Sequence, residues 1–226
     1  GKAMVLFNPP VSKPASSANL SNLLSPFGIH ADDNVILDVV SYGDLLTPAI
    51  MQYSYNDITR GLPATIFPYS RSLSLDTGLP PSVTTENILE SSANSWGKSD
   101  LNSKSAKFDS EKDKKGPLTL GISYDAKASV TTSQDSTQPV PDTRMVVIGN
   151  VNFAANAVIQ QGGNRDLFLN SINWLTGDTD LLGIRAKEPE NHEMTLVGYQ
   201  GRLITFTALL FIPGLVLLAG IIVWIR

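Results

Sequence analysis

The chain has 226 residues, of which 21 are acidic and 17 basic, for a net charge of −4. This balance excludes a strongly positive surface, so nucleic acid is not an expected partner. The lack of cysteine excludes disulfides, thiol catalysis and cysteine-ligated metals, and the two histidines lie too far apart in sequence to predict a metal site.

The first part of the chain follows the pattern of a strand–helix–strand unit. Ala3–Phe7 is a continuous apolar run, typical of a strand that is buried on both faces of a parallel sheet. Between Leu20 and Phe27, apolar residues recur at i, i+3, i+4 and i+7, which predicts a short amphipathic helix that ends at Gly28. Asn34–Val40 is the next predicted strand, and it completes the unit.

Further strands are predicted at Thr65–Leu75, Leu118–Tyr124 and Arg144–Gly149, with a helix at Thr85–Ser95. This alternation predicts an α/β domain over residues 1–177, with a mostly parallel sheet and helices on both faces. A domain of this length can bury one core of good size.

Two polar stretches, 97–117 and 131–142, interrupt these elements and carry too few apolar residues to bury much surface. Both are predicted to be mobile loops. For the first, which mixes lysines with acids, docking of a partner is an alternative to a solvated face.

The segment after Arg144–Gly149 predicts two helices. Asn150 lies in the strand-end turn, and Asn152 is expected to cap a helix over Phe153–Gln161. Asn164 is expected to cap a second helix over Arg165–Thr176. The apolar face of that second helix is predicted to contain Phe168, Ile172 and Leu175. A charged tether over residues 178–202 follows.

Residues 203–225 are apolar and uncharged, and such a run is long enough to cross a bilayer as a helix. Pro213 and Gly214 interrupt it, but intramembrane helices tolerate both. With Ala219 and Gly220, they are also the positions where another membrane helix could pack closely. The run therefore predicts a membrane-anchored domain. The balance of basic residues around the run does not orient it.

The sequence contains no phosphate-binding loop, dinucleotide fingerprint or G-x-S-x-G elbow. Open α/β sheets bind ligands at the carboxyl ends of their strands. Candidate residues for binding a ligand or partner there are Asn8, Asp38, Asn150, Asn152, Asn164, Arg165 and Asp166.

Asp38 is a charged residue in an otherwise apolar predicted strand, so it needs a partner. Arg60, Arg71 and Arg165 are candidates for a structural ion pair, and a contact with a ligand is the alternative. Arg165 and Asp166 are further expected to fix the second helix against the strand-end turn.

A longer pattern covers nearly the whole chain. It comprises RMVVIGNVNFAAN at residues 144–156 and GNRDLFLNSINWL at residues 163–175, followed by the charged tether and the terminal span. YNDIT at residues 55–59, Ser95-Trp96 and GPLT at residues 116–119 agree with it. The pattern resembles the auxiliary components of ABC-type transport systems associated with gliding motility, the GldG-like family.

The resemblance implies a flavodoxin-like, class I glutamine-amidotransferase-like domain on the periplasmic side of the bacterial inner membrane, preceded by a further span and domain. It implies a homo- or hetero-oligomeric, non-catalytic subunit without a cofactor, which works with an ABC-2-type permease and a separate ATPase. Amidotransferase members of the fold use a nucleophilic cysteine, and this chain has none. Asn150 and Asn152 stand where relatives often carry acids, so a charge-dependent role of that turn does not carry over.

Two other functions remain open. The domain could be a structural scaffold of a larger membrane complex that binds no ligand. It could also be a hydrolase of the same fold that depends on Asp38, Asn150 or Ser123.

Overall fold

A computed structural model describes residues 1–9, 18–100, 105–127, 142–177 and 206–225. The chain divides into two units, with the boundary between residues 184 and 185. The described strands are β1 (Lys2–Leu6), β2 (Ile29–Ala31), β3 (Val35–Leu37), β4 (Ala49–Ile50), β5 (Thr65–Ile66), β6 (Leu73–Leu75), β7 (Val83–Glu90), β8 (Trp96–Lys98), β9 (Lys114–Lys115), β10 (Thr119–Ala126) and β11 (Thr143–Ile148). The described α-helices are α1 (Ala18–Leu24), α2 (Asn164–Thr176) and α3 (Ile212–Ile225).

The main sheet of the first unit is mixed, not mostly parallel as predicted. Its strand order is β1-β11-β10-β6-β2, and β7 also pairs with β10. Among the described strand pairs, β1 and β11 alone are parallel, with Val5 opposite Val147. A separate three-stranded sheet has the order β3-β8-β9, and β4 pairs with β5.

The predicted strand–helix–strand unit is only half correct. α1 continues into a 3-10 turn at Ser25–Phe27, and Gly28 ends it with φ at 71°, as expected. The strand predicted at Asn34–Val40 is shortened to β3, which pairs with β8 and not with β1. β3 ends at Leu37 because the Asp38 carboxylate accepts the N–H of Val40 and turns the chain.

Two other predicted elements differ from the structure. The predicted helix Thr85–Ser95 is largely strand β7, which pairs with β10 except at a bulge at Ile88, so tertiary pairing overrides local helix preference. The predicted strand Thr65–Leu75 is divided into β5 and β6, because the chain turns at Tyr69 with φ at 58°.

Helices cover both faces of the main sheet, as predicted. Alternate residues of β11 enter two different cores, since side chains of a strand alternate in direction. Val146 and Ile148 pack in the cluster that contains Leu167 of α2. Met145 and Val147 pack in the cluster that contains Leu24 of α1.

The segment after β11 contains one helix of the predicted pair. A 3-10 turn over Asn152–Ala154 replaces the helix predicted at Phe153–Gln161, because Ala155 has an extended backbone (ψ 149°). α2 is present and ends at Gly177 with φ at 87°. Its buried residues are Asn164, Leu167, Ser171 and Leu175, whereas Ile172, which was placed on the predicted apolar face, is 37% exposed.

The first polar stretch is partly built into the fold. Within 97–117, β9 pairs with β8, and Lys98 forms an ion pair of 3.1 Å with Asp113, whose side chain is completely buried. The tether, residues 131–141 of the second stretch and residues 203–205 of the predicted span lie outside the described residues.

The second unit contains one apolar helix. Thr207–Ile225 spans 19 residues with a mean hydropathy of 2.7, so it is long and apolar enough to cross a membrane. Thr207–Phe211 is π-helical and α3 follows it. The wider turn lies just before Pro213, which lacks an N–H and would crowd the carbonyl of residue 209 in a regular α-helix.

Candidate functional site

The carboxyl ends of β1 and β11 lie at the same edge of the sheet, because the two strands are parallel. Asn8 follows β1 and is exposed, whereas Asn150 follows β11 and is completely buried. The turn between β5 and β6 closes this edge, since the N–H of Arg71 donates to the carbonyl of Gly149 at 2.9 Å. A Cβ at position 149 would lie 2.2 Å from the carbonyl oxygen of Arg71, so only glycine permits this approach.

The two asparagines after β11 hold the turn in place. Asn150 Nδ2 donates to the carbonyl of Pro68 at 2.6 Å, and Asn152 Nδ2 donates to the same oxygen at 3.1 Å. Asn150 Oδ1 accepts the N–H of Phe153 at 2.7 Å. Both residues were predicted as binding residues, but these bonds use their side chains within the fold.

Tyr69 lies in the turn that Asn150 and Asn152 hold in place through the carbonyl of Pro68. Among non-glycine residues in the described part of the chain, Tyr69 alone has a positive φ, and its side chain is exposed. A bulky residue in the left-handed region is strained, and such strain persists only where surrounding contacts enforce it. Tyr69 was not among the predicted site residues, although the preceding Pro68 is a turn signal that could have suggested it.

A buried arginine lies behind this edge. Arg71 Nε donates to the carbonyl of Asp32 at 2.9 Å, and its Nη2 atom pairs with Asp33 at 2.6 Å. The guanidinium lies 5.7 Å from the centre of the Phe7 ring. Partial burial raises the pKa of the neighbouring Asp32. Hydrogen bonds from the Lys114 ammonium and from two serine hydroxyls together lower it by more, so the net pKa lies below its usual value.

Within the described residues, Asp38 forms no ion pair with an arginine, in contrast to the expectation. It is buried, and its carboxylate accepts the N–H of Ser92 at 2.7 Å and the N–H of Val40 at 2.9 Å. The Ser92 hydroxyl donates to it as well. Of the predicted partners, Arg60 pairs with Asp57. Hydrogen bonds from a loop satisfy the charge, which is the other physical solution for a buried carboxylate.

Asn164 does not cap α2 as predicted. Its Oδ1 accepts the N–H of Ile66 at 2.8 Å, and its Nδ2 donates to the carbonyl of Ile66 at 2.9 Å. The side chain therefore pairs with both backbone groups of a residue in β5. Arg165, by contrast, is exposed and forms no hydrogen bond or ion pair with the described residues. Asn164, and not Arg165, therefore holds the start of α2 in place. Asp166 lies half-buried in the first turn of α2, where a negative charge stabilises a helix.

Two open grooves border β7. The first, of 550 Å³, lies between the second half of β7 and the segment Ala49–Ser54, and we call it the β7 groove. The second, of 520 Å³, is lined by Glu86, Ser123, Asp125 and Trp174, among others. In the second groove, Asp125 pairs with Arg144 through one carboxylate oxygen at 3.4 Å. Neither groove was predicted, because β7 itself was predicted as a helix.

Of the residues that a hydrolase could use, Ser123 is buried in the middle of β10, where it borders the second groove. His30 pairs with Asp76 at 3.0 Å, and both side chains are partly exposed. Within the described ranges, no three His, Cys, Asp or Glu residues are grouped so that they could hold a metal ion.

No family model and no curated protein matches the chain. Among solved structures, the "mmIFT52 N-terminal domain" matches at 13% sequence identity with a TM-score of 0.46, over 76% of this chain. The match spans 63% of that structure's own length. A likeness at this level assigns neither a family nor a function.

Proposed function

We propose that the chain is a non-catalytic, membrane-anchored auxiliary subunit of an ABC-type transport system, which works with an ABC-2-type permease and a separate ATPase. The GldG-like sequence pattern at residues 144–156 and 163–175 is the basis for naming this class. On the same basis we propose a relationship to flavodoxin-like, class I glutamine-amidotransferase-like domains, and a periplasmic position on the bacterial inner membrane.

The observation that carries the proposal is the apolar helix Thr207–Ile225. At a rise of about 1.5 Å per residue, 19 residues extend for roughly 28 Å, close to the thickness of a bilayer's hydrocarbon core. Its large side chains are exposed, for example Leu209 at 76% and Trp224 at 86%. Lipid or another membrane helix would cover these side chains.

The site geometry supports a binding or coupling role over a hydrolytic one. Asp38 and Asn150 are buried and use their side-chain oxygens to hold Ser92 and Phe153. A catalytic base or nucleophile must reach a substrate, and groups that are fixed in the interior in this way do not.

The test is co-purification of the full-length protein from its native membrane in a mild detergent. We expect the permease and the ATPase to be recovered with it. Gly220→Leu would block close helix packing and should reduce recovery of the permease, whereas the matched change Val223→Leu should not. Recovery of neither subunit with the unchanged protein would contradict the proposal.

The side of the membrane is tested separately by protease treatment of spheroplasts from intact cells. We expect the domain to be digested from outside. Protection of the domain until the inner membrane is permeabilised would place it in the cytoplasm and contradict the proposed orientation.

A further inference from the structure

Strand β7 forms an open edge of the main sheet. Its eight residues form one strand that pairs with β10 on one side, with a bulge at Ile88. On its other side, it pairs with no strand in the described ranges. Such an edge presents a row of unpaired N–H and C=O groups to any extended chain of suitable register.

The β7 groove provides space beside this edge. Its walls are Asn87, Ile88 and Glu90 of β7 and the segment Met51–Ser54 opposite them. The four N–H groups of that segment donate to no described residue, and the Met51 side chain is 63% exposed. An added strand would therefore find open backbone groups on β7 and an exposed apolar side chain opposite.

The charge of this edge is negative. Glu86 and Glu90 are exposed, and their described partners are the neutral amides of Asn56 and Asn87. Neither carboxylate forms an ion pair with a described cation. Edge strands are commonly protected by lysine, so an edge with two uncompensated acids favours a basic partner. The same acids disfavour pairing of β7 with β7 of a second copy, because like charges would approach each other.

We propose that the β7 edge binds an extended segment of a partner protein by strand addition, and that this segment carries basic residues that face Glu86 and Glu90. Main-chain hydrogen bonds supply the affinity in this mode of recognition, and side chains select the partner. The edge would accept such a segment whether or not the partner belongs to a transport system, so the inference stands apart from the proposed function.

The probe is a blocked peptide of eight residues, the length of β7, in which threonine and valine alternate and two lysines stand three positions apart. This spacing points the lysines to opposite faces, to match Glu86 and Glu90 across the β7 bulge. Its binding is measured by fluorescence anisotropy to the full chain in phosphatidylcholine nanodiscs, with empty nanodiscs as the baseline. A version with N-methyl groups on alternate amides keeps the charge but cannot complete a ladder. We expect it to bind at least about tenfold more weakly, a loss of about 1.4 kcal/mol.

A version with glutamate in place of lysine tests the charge. Each exposed ion pair changes affinity by a few-fold, so we expect the two together to give roughly tenfold weaker binding of the glutamate peptide. Glu86→Gln with Glu90→Gln should remove this preference and leave the N-methyl effect unchanged. Glu111→Gln, an exposed acid of another loop, is the matched control and should change neither result.

Three outcomes would overturn the proposal. The first is equal binding of the N-methylated peptide, which would exclude strand addition. The second is no binding together with protection of the β7 amides from hydrogen exchange in the free protein, which would show that the edge is already covered. The third is a dimer that the lysine peptide dissociates and the double glutamine variant strengthens, which would identify a second copy as the occupant.

Discussion

The polar residues at the carboxyl end of β11 and those along β7 differ in what their side chains bind. Asn150 and Asn164 are completely buried, and each holds backbone groups of a distant turn or strand. Glu86 and Glu90 are exposed on a strand whose outer edge has no partner in the described residues. The first group stabilises the fold, and the second is free to contact another molecule.

A polar residue at a strand end is therefore not by itself a binding residue. A buried amide satisfies its hydrogen bonds inside the protein or destabilises it. Function is therefore better sought where polar groups remain exposed, as along the β7 edge.

The largest expected effect is that of Asn164→Ala. The change leaves both the N–H and the carbonyl of Ile66 without their partner in the interior, so we expect a loss of about 3 to 5 kcal/mol of unfolding free energy. Denaturant unfolding of the full chain in mild detergent, followed by tryptophan fluorescence, measures it.

Asn170→Ala is the matched control for Asn164→Ala. Asn170 is half-buried and donates one hydrogen bond, to the carbonyl of Ile58 at 2.9 Å, so its loss should cost only about 1 kcal/mol. Equal losses for the two variants would show that the pair formed with Ile66 has no special weight.

The sequence predicted the elements whose signal is local. β1 and β11 contain apolar runs whose side chains pack on both faces of the sheet, and Gly28 ends the helix before it in the left-handed conformation. Glycine at position 177 ends α2 for the same reason.

Elements that depend on distant partners were missed. β7 is a strand because it pairs with β10, from Glu90 with Thr119 to Val83 with Ala126, and nothing in its own alternation of polar and apolar residues predicts that. Asn164 was expected to cap a helix, which is its local preference, but it bonds to Ile66, 98 positions away. The open β7 edge could not be predicted for the same reason, since an edge is defined by the strands that do not pair with it.

The next effect in size is that of Asp113→Asn, which tests a buried charge outside the strand-end turn. Burial raises the pKa of Asp113. Hydrogen bonds from the N–H groups of Asp109 and Ser99 and from the Lys98 ammonium together lower it by more, so the net pKa lies below its usual value. At neutral pH we expect the variant to lose about 1.5 to 3 kcal/mol of unfolding free energy, because Lys98 loses its charged partner.

The pH dependence gives the sign of this contribution. A lowered carboxylate pKa stabilises the folded state above the unfolded value, about 3.9, and this stabilisation is lost as the pH falls through the folded value. The difference between the natural chain and Asp113→Asn should therefore be constant from neutral pH to about pH 5 and decrease below pH 4. A difference that grows on acidification would contradict the assignment.

The smallest effect is expected for Arg165→Ala. Arg165 is exposed, although it is next to the buried Asn164. The sequence suggested that Arg165 fixes α2 against the turn. In the described residues Asn164 makes that contact, since its Nδ2 donates to the carbonyl of Phe153 at 3.4 Å, and the arginine side chain is exposed. Its removal should change the unfolding free energy by less than about 0.5 kcal/mol, in the same denaturant assay. A destabilisation of the domain by Arg165→Ala as large as that by Asn164→Ala would contradict the view that buried polar residues stabilise this fold and exposed ones do not. If stability were unchanged but recovery of the permease were lost, Arg165 would join the β7 edge as a surface that contacts another molecule.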